Sequence, residues 1–95
     1  MSTLAKTVLT DIRRLFAERI KEECAARDNL SNAQLSKLTG GAQCEYISPK
    51  TVGRIWTCEA SNDSIRIACV ALGLDFDKLW REYYRRAMGM EETGS

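Results

Sequence analysis

The sequence predicts an all-α fold, a compact domain of five helices. Five stretches place their apolar residues three or four positions apart, the spacing of one helix face. The breaks between them carry helix-capping residues or glycines. No stretch shows the two-residue alternation of a half-buried strand. With 95 residues, 44% of them hydrophobic, the chain suits one domain around a single core rather than a disordered polymer.

Residues 1–10 read as a flexible N-terminal arm that adds at most a first helical turn. Over residues 11–27, Ile12, Leu15, Phe16, Ile20 and Cys24 share one face of a helix. Arg14 and Glu18 stand four apart on another face and suit a surface ion pair. Asp28 and Asn29 end this helix. The second helix spans residues 31–38. Ser31 caps it and Gln34 returns the hydrogen bond, while Leu30 and Leu35 form the hydrophobic staple. Gly40 and Gly41 close it, because glycine accepts the left-handed backbone of a helix C-terminus.

A connector over residues 42–46 leads to a third helix over residues 48–57. Ser48 is its cap, and Pro49 takes the first helical position, where its missing N–H costs nothing. Ile47 and Val52 repeat the staple. Val52, Ile55 and Trp56 make the apolar side; Pro49, Lys50, Gly53, Arg54 and Thr57 make the outer side. Residues 59–64 are a polar loop with a fresh cap at Asn62 or Asp63. The fourth helix ends at Leu72 before Gly73, and Ile65, Ala68, Cys69 and Leu72 form its stripe. Arg66 is its one strongly polar residue, which makes this the central helix. Asp75 caps a last helix that runs to Met88 and turns Phe76, Leu79, Trp80 and Tyr83 to the core. The domain is therefore residues 11–88, and residues 89–95 form a disordered tail.

Composition narrows the function. The formal net charge is +1, so a nucleic-acid partner requires the positive residues to be segregated onto one face by folding. There is no histidine to serve as a general base or zinc ligand. Cys24, Cys44, Cys58 and Cys69 are 20, 14 and 11 positions apart, too dispersed for a four-cysteine zinc site. Free thiols are expected, with no metal and no cofactor. A phosphate-binding loop of G-x-x-x-x-G-K type is missing. The adjacent carboxylates Glu22–Glu23 point about 100° apart on a helix and do not converge. A catalytic role is not expected. No apolar run approaches 18 residues, and the N-terminus lacks the apolar stretch of a signal peptide. The expected location is the cytoplasm, away from membranes.

Two short helices joined by a glycine-containing turn form a helix-turn-helix, and a short capped helix with small or polar outer residues fits a DNA major groove. Leu30-Ser-Asn-Ala-Gln-Leu-Ser-Lys-Leu-Thr-Gly40 resembles the second helix of the Cro/cI-type (XRE, lambda-repressor-like) helix-turn-helix family of phage repressors and bacterial regulators. Residues 48–55 are similar to its recognition helix, residues 65–74 to its fourth helix, and Asp75-Phe-Asp-Lys-Leu79 to its fifth. The resemblance covers residues 17–79, and its specific pieces are the second helix and the Ala71-Leu72-Gly73 turn.

The resemblance implies a sequence-specific, DNA-binding transcriptional regulator of phage or mobile-element type, or one from a toxin–antitoxin-like locus. It implies a homodimer on a two-fold operator in double-stranded DNA. Asn32 matches a residue that contacts a phosphate and buttresses the recognition helix. Ser48, Pro49 and Lys50 match the groove-facing start of the third helix, and Arg54 matches a base-reading position one turn on. The chain departs from the pattern in three places. The link between Gly40 and Ser48 is about four residues longer than the compact turn. Pro49 replaces a hydrogen-bonding side chain, and Trp56 stands where a small or charged residue is common.

Lys50 and Arg54 share a helix face, and each can donate to guanine O6 and N7. Ser31, Asn32, Thr51 and Thr57 can bind phosphate, with Gly53 on the same outer side. Arg13, Arg14 and Lys37 read as ordinary surface. On the last helix Tyr84 and Met88, with Trp80, are candidates for a dimer interface, because aromatics and methionine are enriched there. Helical spacing alone assigns Trp80 to the core. The alternative function is a protein-interaction module of the same fold, antitoxin-like or a partner of a repressor or polymerase. The near-zero charge, the long link, Pro49 and Gly53 favour that alternative, and the aromatic last helix is its natural contact.

Overall fold

The computed structural model describes residues 2–41 and 45–89, with side chains from Thr7 onward. It contains α1 (Ser2–Ala26), α2 (Asn32–Gly41), α3 (Pro49–Trp56), α4 (Asn62–Ala71) and α5 (Phe76–Ala87), and no strand among the described residues. This is the all-α, five-helix domain that the apolar spacing predicts. Helix α1 lies chiefly against α5, while α2 packs on α3 and α4. Ile12, Phe16 and Ile20 of α1 meet Leu35, Val52, Ile55, Ile65, Ala68, Cys69 and Leu72 in one buried core.

Helix α1 begins at Ser2, which corrects the reading of residues 1–10 as a loose arm. No glycine or proline interrupts the stretch before Asp11. Val8, one turn ahead of Ile12, extends the apolar stripe and is buried. The helix stops where Asp28 and Asn29 turn left-handed, at φ 67° and 56°. The Leu30 N–H then returns to the Cys24 carbonyl at 3.1 Å, which satisfies a carbonyl left over at the helix end. Arg27 reaches further and donates to the Leu72 carbonyl at 2.9 Å, tying the ends of α1 and α4 together.

Helix α2 runs through Gly40 to Gly41, three residues beyond the predicted end at Leu38. A Cβ added at Gly40 would lie 3.6 Å from the Tyr46 ring, an ordinary contact. The cap of α4 is Ser61, one residue earlier than expected, and its Oγ accepts from the Ser64 N–H at 3.2 Å. Ala60 and Ile65, both buried, flank this cap as a staple. Asp63 instead lies in the first turn, where a carboxylate favours the positive end of the helix, and it pairs with Arg66 at 3.3 Å. Asp75 caps α5 as expected, accepting from the Lys78 N–H at 3.1 Å.

Phe16 is enclosed by α5. It stacks on Phe76 at 5.1 Å and meets the edge of Tyr83 at 4.9 Å, with Trp80 at 6.5 Å. No helix among the described residues is long and apolar enough to cross a membrane. Cys44 and, apart from Gly89, the expected tail over residues 89–95 lie outside the described residues.

Candidate nucleic-acid interface

The third helix starts as its residues dictate. Ser48 is extended and its Oγ accepts from the Thr51 N–H at 3.2 Å, followed by Pro49 in the first turn. The Ser48 and Thr51 hydroxyls lie 3.1 Å apart and are half-buried, so they serve each other before any ligand. Val52 and Ile55 are buried in the core. Their burial leaves Pro49, Lys50, Arg54 and Thr57 exposed, with Gly53 half-buried beside them.

Two anchors hold α3 on α2. The first is a buried clamp at Ile47. Ser36 Oγ donates to the Ile47 carbonyl at 2.6 Å, and the Ile47 N–H donates to Thr39 Oγ1 at 3.1 Å. Thr39 in turn donates to the Ser36 carbonyl at 2.5 Å. Ser36 is 2% exposed and Thr39 not at all, so these bonds form away from water. Both backbone groups of Ile47 are thereby fixed to α2, one residue before the cap of α3.

The second anchor is at the far end of α3. Trp56 Nε1 donates to Asn32 Oδ1 at 2.9 Å, joining the last residue of α3 to the first of α2. An indole nitrogen only donates, so the bond fixes which end of the Asn32 amide faces Trp56. The Asn32 Nδ2 group is left with its two donors, next to Gly53, where an added Cβ would lie 3.5 Å away. Lys21 Nζ of α1 sits 4.8 Å from the centre of the Trp56 ring, an attraction between cation and aromatic face. Three helices thus meet at one half-buried indole. Beside it runs a groove of about 530 Å³, lined by Ala17, Ala25, Trp56 and Cys58 and by two cations and two acids, Arg14, Lys21, Glu18 and Glu22.

Charge is distributed unevenly. Arg14, Arg19, Arg27, Arg66 and Arg86 each pair with a carboxylate. Lys50 and Arg54 have no such partner among the described residues. Between Leu30 and Cys58, Lys37, Lys50 and Arg54 are set against Glu45 alone. The α2–α3 stretch therefore carries an excess of positive charge within a nearly neutral chain.

The remaining expected residues divide. Ser31 is exposed and its hydroxyl accepts from the Gln34 N–H at 3.2 Å, while Gln34 accepts from the Ser31 N–H at 2.7 Å. The capping box is complete, and Ser31 keeps one donor. The Thr57 hydroxyl lies 2.9 Å from Glu59 Oε1, and that carboxylate opposes a phosphate at the same spot. Trp80 is half-buried and stacked 6.0 Å from Phe76, which places it in the core packing. Tyr84 and Met88 are exposed. Cys24 and Cys69 are buried free thiols, and burial pushes Cys69 up to about 12 despite the nearby Arg19. Among the described residues no group of three or more histidines, cysteines or carboxylates is placed to hold a metal ion.

Ser36, Thr39 and the indole of Trp56 are the parts that sequence reasoning missed. The available signal was the position of Ser36 and Thr39 beside Leu35, on the helix side that turns to the core. The chain matches no protein-family model, no curated protein and no solved structure.

Proposed function

We propose that this protein binds double-stranded DNA sequence-dependently and regulates transcription, with α3 as the helix that enters the major groove. One observation carries the reading. Helix α3 is capped, core-facing on one side and anchored at both ends, and its outer side exposes Lys50 and Arg54 with no carboxylate partner among the described residues. A rigid helix with free cationic donors is what base reading requires, because each base edge must be met at a fixed distance.

Roles follow from side-chain chemistry. The planar fork of Arg54 suits guanine O6 and N7, while Lys50 supplies a point charge to a base or a phosphate. The first N–H groups of α2 and the free Nδ2 donors of Asn32 suit a phosphate oxygen. Occupancy of a promoter then blocks polymerase or, with a suitable surface, recruits it. This reading puts the protein in the cytoplasm, with the DNA.

The test is selection from a random duplex pool, followed by fluorescence anisotropy across a salt series. One sequence should win, and its affinity should fall with salt at a slope of about −0.9 per phosphate contact. Half-sites about 34 Å apart in the winner mark a homodimer, and a single half-site marks a monomer. Arg54→Ala should cost about 1–3 kcal/mol and relax the preference at one base position. No binding at low salt overturns the reading.

A further inference from the structure

The outer face of α5 is used neither by the fold nor by the proposed DNA contact. Phe76, Leu79, Trp80, Tyr83 and Ala87 pack toward the core. The opposite side carries Asp77, Lys78, Arg81, Tyr84, Arg85 and Met88, all exposed. At about 100° per residue, Tyr84, Met88 and Arg81 fall within about 60° of one another, and Arg85 and Lys78 continue the same side. Tyr84 is 43% and Met88 42% exposed, a pair of large apolar groups one turn apart. Lys78, Arg81 and Arg85 have no carboxylate partner among the described residues. Of the two acids on α5, Glu82 is bonded to Arg86 at 3.3 Å, and Asp77 lies in the first turn, where the helix dipole favours it.

These charges decide what fits. A two-fold contact between copies sets a surface against itself. Here that would set three cations and one unpaired carboxylate, Asp77, against a copy of the same set, which leaves excess positive charge on both sides of Tyr84 and Met88. An occupant of opposite charge with its own apolar stripe meets both halves of the face.

We infer that the outer face of α5 docks an acidic amphipathic helix of another protein. The partner's apolar side chains cover Tyr84 and Met88, and its carboxylates meet Arg81, Arg85 and Lys78. Tyrosine, methionine and arginine are the residue types enriched in interfaces, and tyrosine and arginine dominate their binding energy.

The test uses the full chain and a labelled synthetic helix of about 20 residues with a leucine stripe flanked by glutamates. A matched peptide with lysine for glutamate, phosphatidylserine vesicles and random duplex DNA are the comparators. The glutamate peptide should bind, and the lysine peptide should not. The double variant Arg81→Glu/Arg85→Glu should reverse that preference. Tyr84→Ala, which truncates an exposed side chain and leaves the core intact, should weaken peptide binding about tenfold and leave duplex binding unchanged. The inference is overturned if the double variant binds the glutamate peptide as tightly as the parent does. It is also overturned if vesicles or duplex displace the peptide. A sedimentation mass that Tyr84→Ala halves would assign the face to a second copy instead.

Discussion

The α1–α5 contact and the α2–α3 junction hold helices together by different chemistry. At the first, Phe16 is enclosed by Phe76, Trp80 and Tyr83, with ring centres 4.9 to 6.5 Å away. At the second, Ser36 and Thr39 clamp the backbone of Ile47, and Asn32 holds Trp56. Apolar burial is strong but has little direction, whereas a hydrogen bond weakens steeply as its angle changes. The first contact therefore supplies stability. The second fixes the angle at which α3 leaves the domain, and a base-reading helix depends on that angle.

Phe16→Ala is the largest way to break this contrast. Emptying a buried ring site costs about 3–5 kcal/mol, against a total of about 5–15 for a typical domain. The variant should be largely unfolded at room temperature or lose most of its urea resistance, as read by circular dichroism. A loss below about 1 kcal/mol would show that the aromatic cluster is not the stabilising half.

Thr39→Val tests the other half. It removes the hydroxyl that accepts from the Ile47 N–H and leaves that N–H buried without a partner, at a cost of about 1–3 kcal/mol. The variant should fold, yet its affinity for the selected duplex should fall by more than its stability explains, because the start of α3 is released. Equal affinity in the folded variant would show that the clamp serves stability alone.

Trp56→Phe is a finer cut. It keeps a ring beneath Lys21 and deletes only the N–H that binds Asn32. Loss of one half-exposed hydrogen bond costs about 0.5–1.5 kcal/mol. The Asn32 amide is then free to flip, so the affinity for the selected duplex should fall while the salt slope, set by charged contacts, stays the same. Unchanged affinity would remove Asn32 from the contact surface.

The two halves also differ in how much of them the sequence discloses. Phe76, Leu79, Trp80 and Tyr83 announce their shared face by spacing, and Ile12, Phe16 and Ile20 do the same. Caps are equally local, and Ser31, Ser48 and Asp75 act as read. The cap at Ser61 was misplaced by one residue because Ser61, Asn62 and Asp63 are all competent caps in a row. The start of α1 was legible through Val8, but its polar neighbours outweighed that single apolar residue. The clamp was legible only in the place of Ser36 and Thr39 beside Leu35, not in what they bind. Ser36 and Thr39 are polar, and a polar residue on a short helix defaults to the surface until a backbone partner is in place. Trp56 and Asn32 stand 24 positions apart, and no local pattern pairs an indole with an amide over that distance. Polar contacts distant in sequence position the candidate site, which is why its residue types could be named and its geometry could not.

The cysteines give the smallest test at ordinary pH. Cys69 lies wholly inside the core, while Cys58 is half-exposed just after α3, in a left-handed turn at φ 63°. In a Cys44→Ser background, a thiol reagent at pH 8 should modify Cys58 in the folded protein. Cys24 and Cys69 should react only on unfolding, since both are buried and burial raises both thiols above the ordinary value of 9.0. The sign of the linked stability follows from the same shift. The folded state keeps the Cys69 proton up to about pH 12, while the unfolded chain releases it near 9.0. Its contribution is whole below about pH 9 and drains away as the pH rises from there toward 12. Cys69→Ala should flatten that alkaline loss, whereas Cys58→Ser should leave it in place. If Cys69 were modified as fast as Cys58 in the folded protein, the core around α4 would open far more readily than its burial implies.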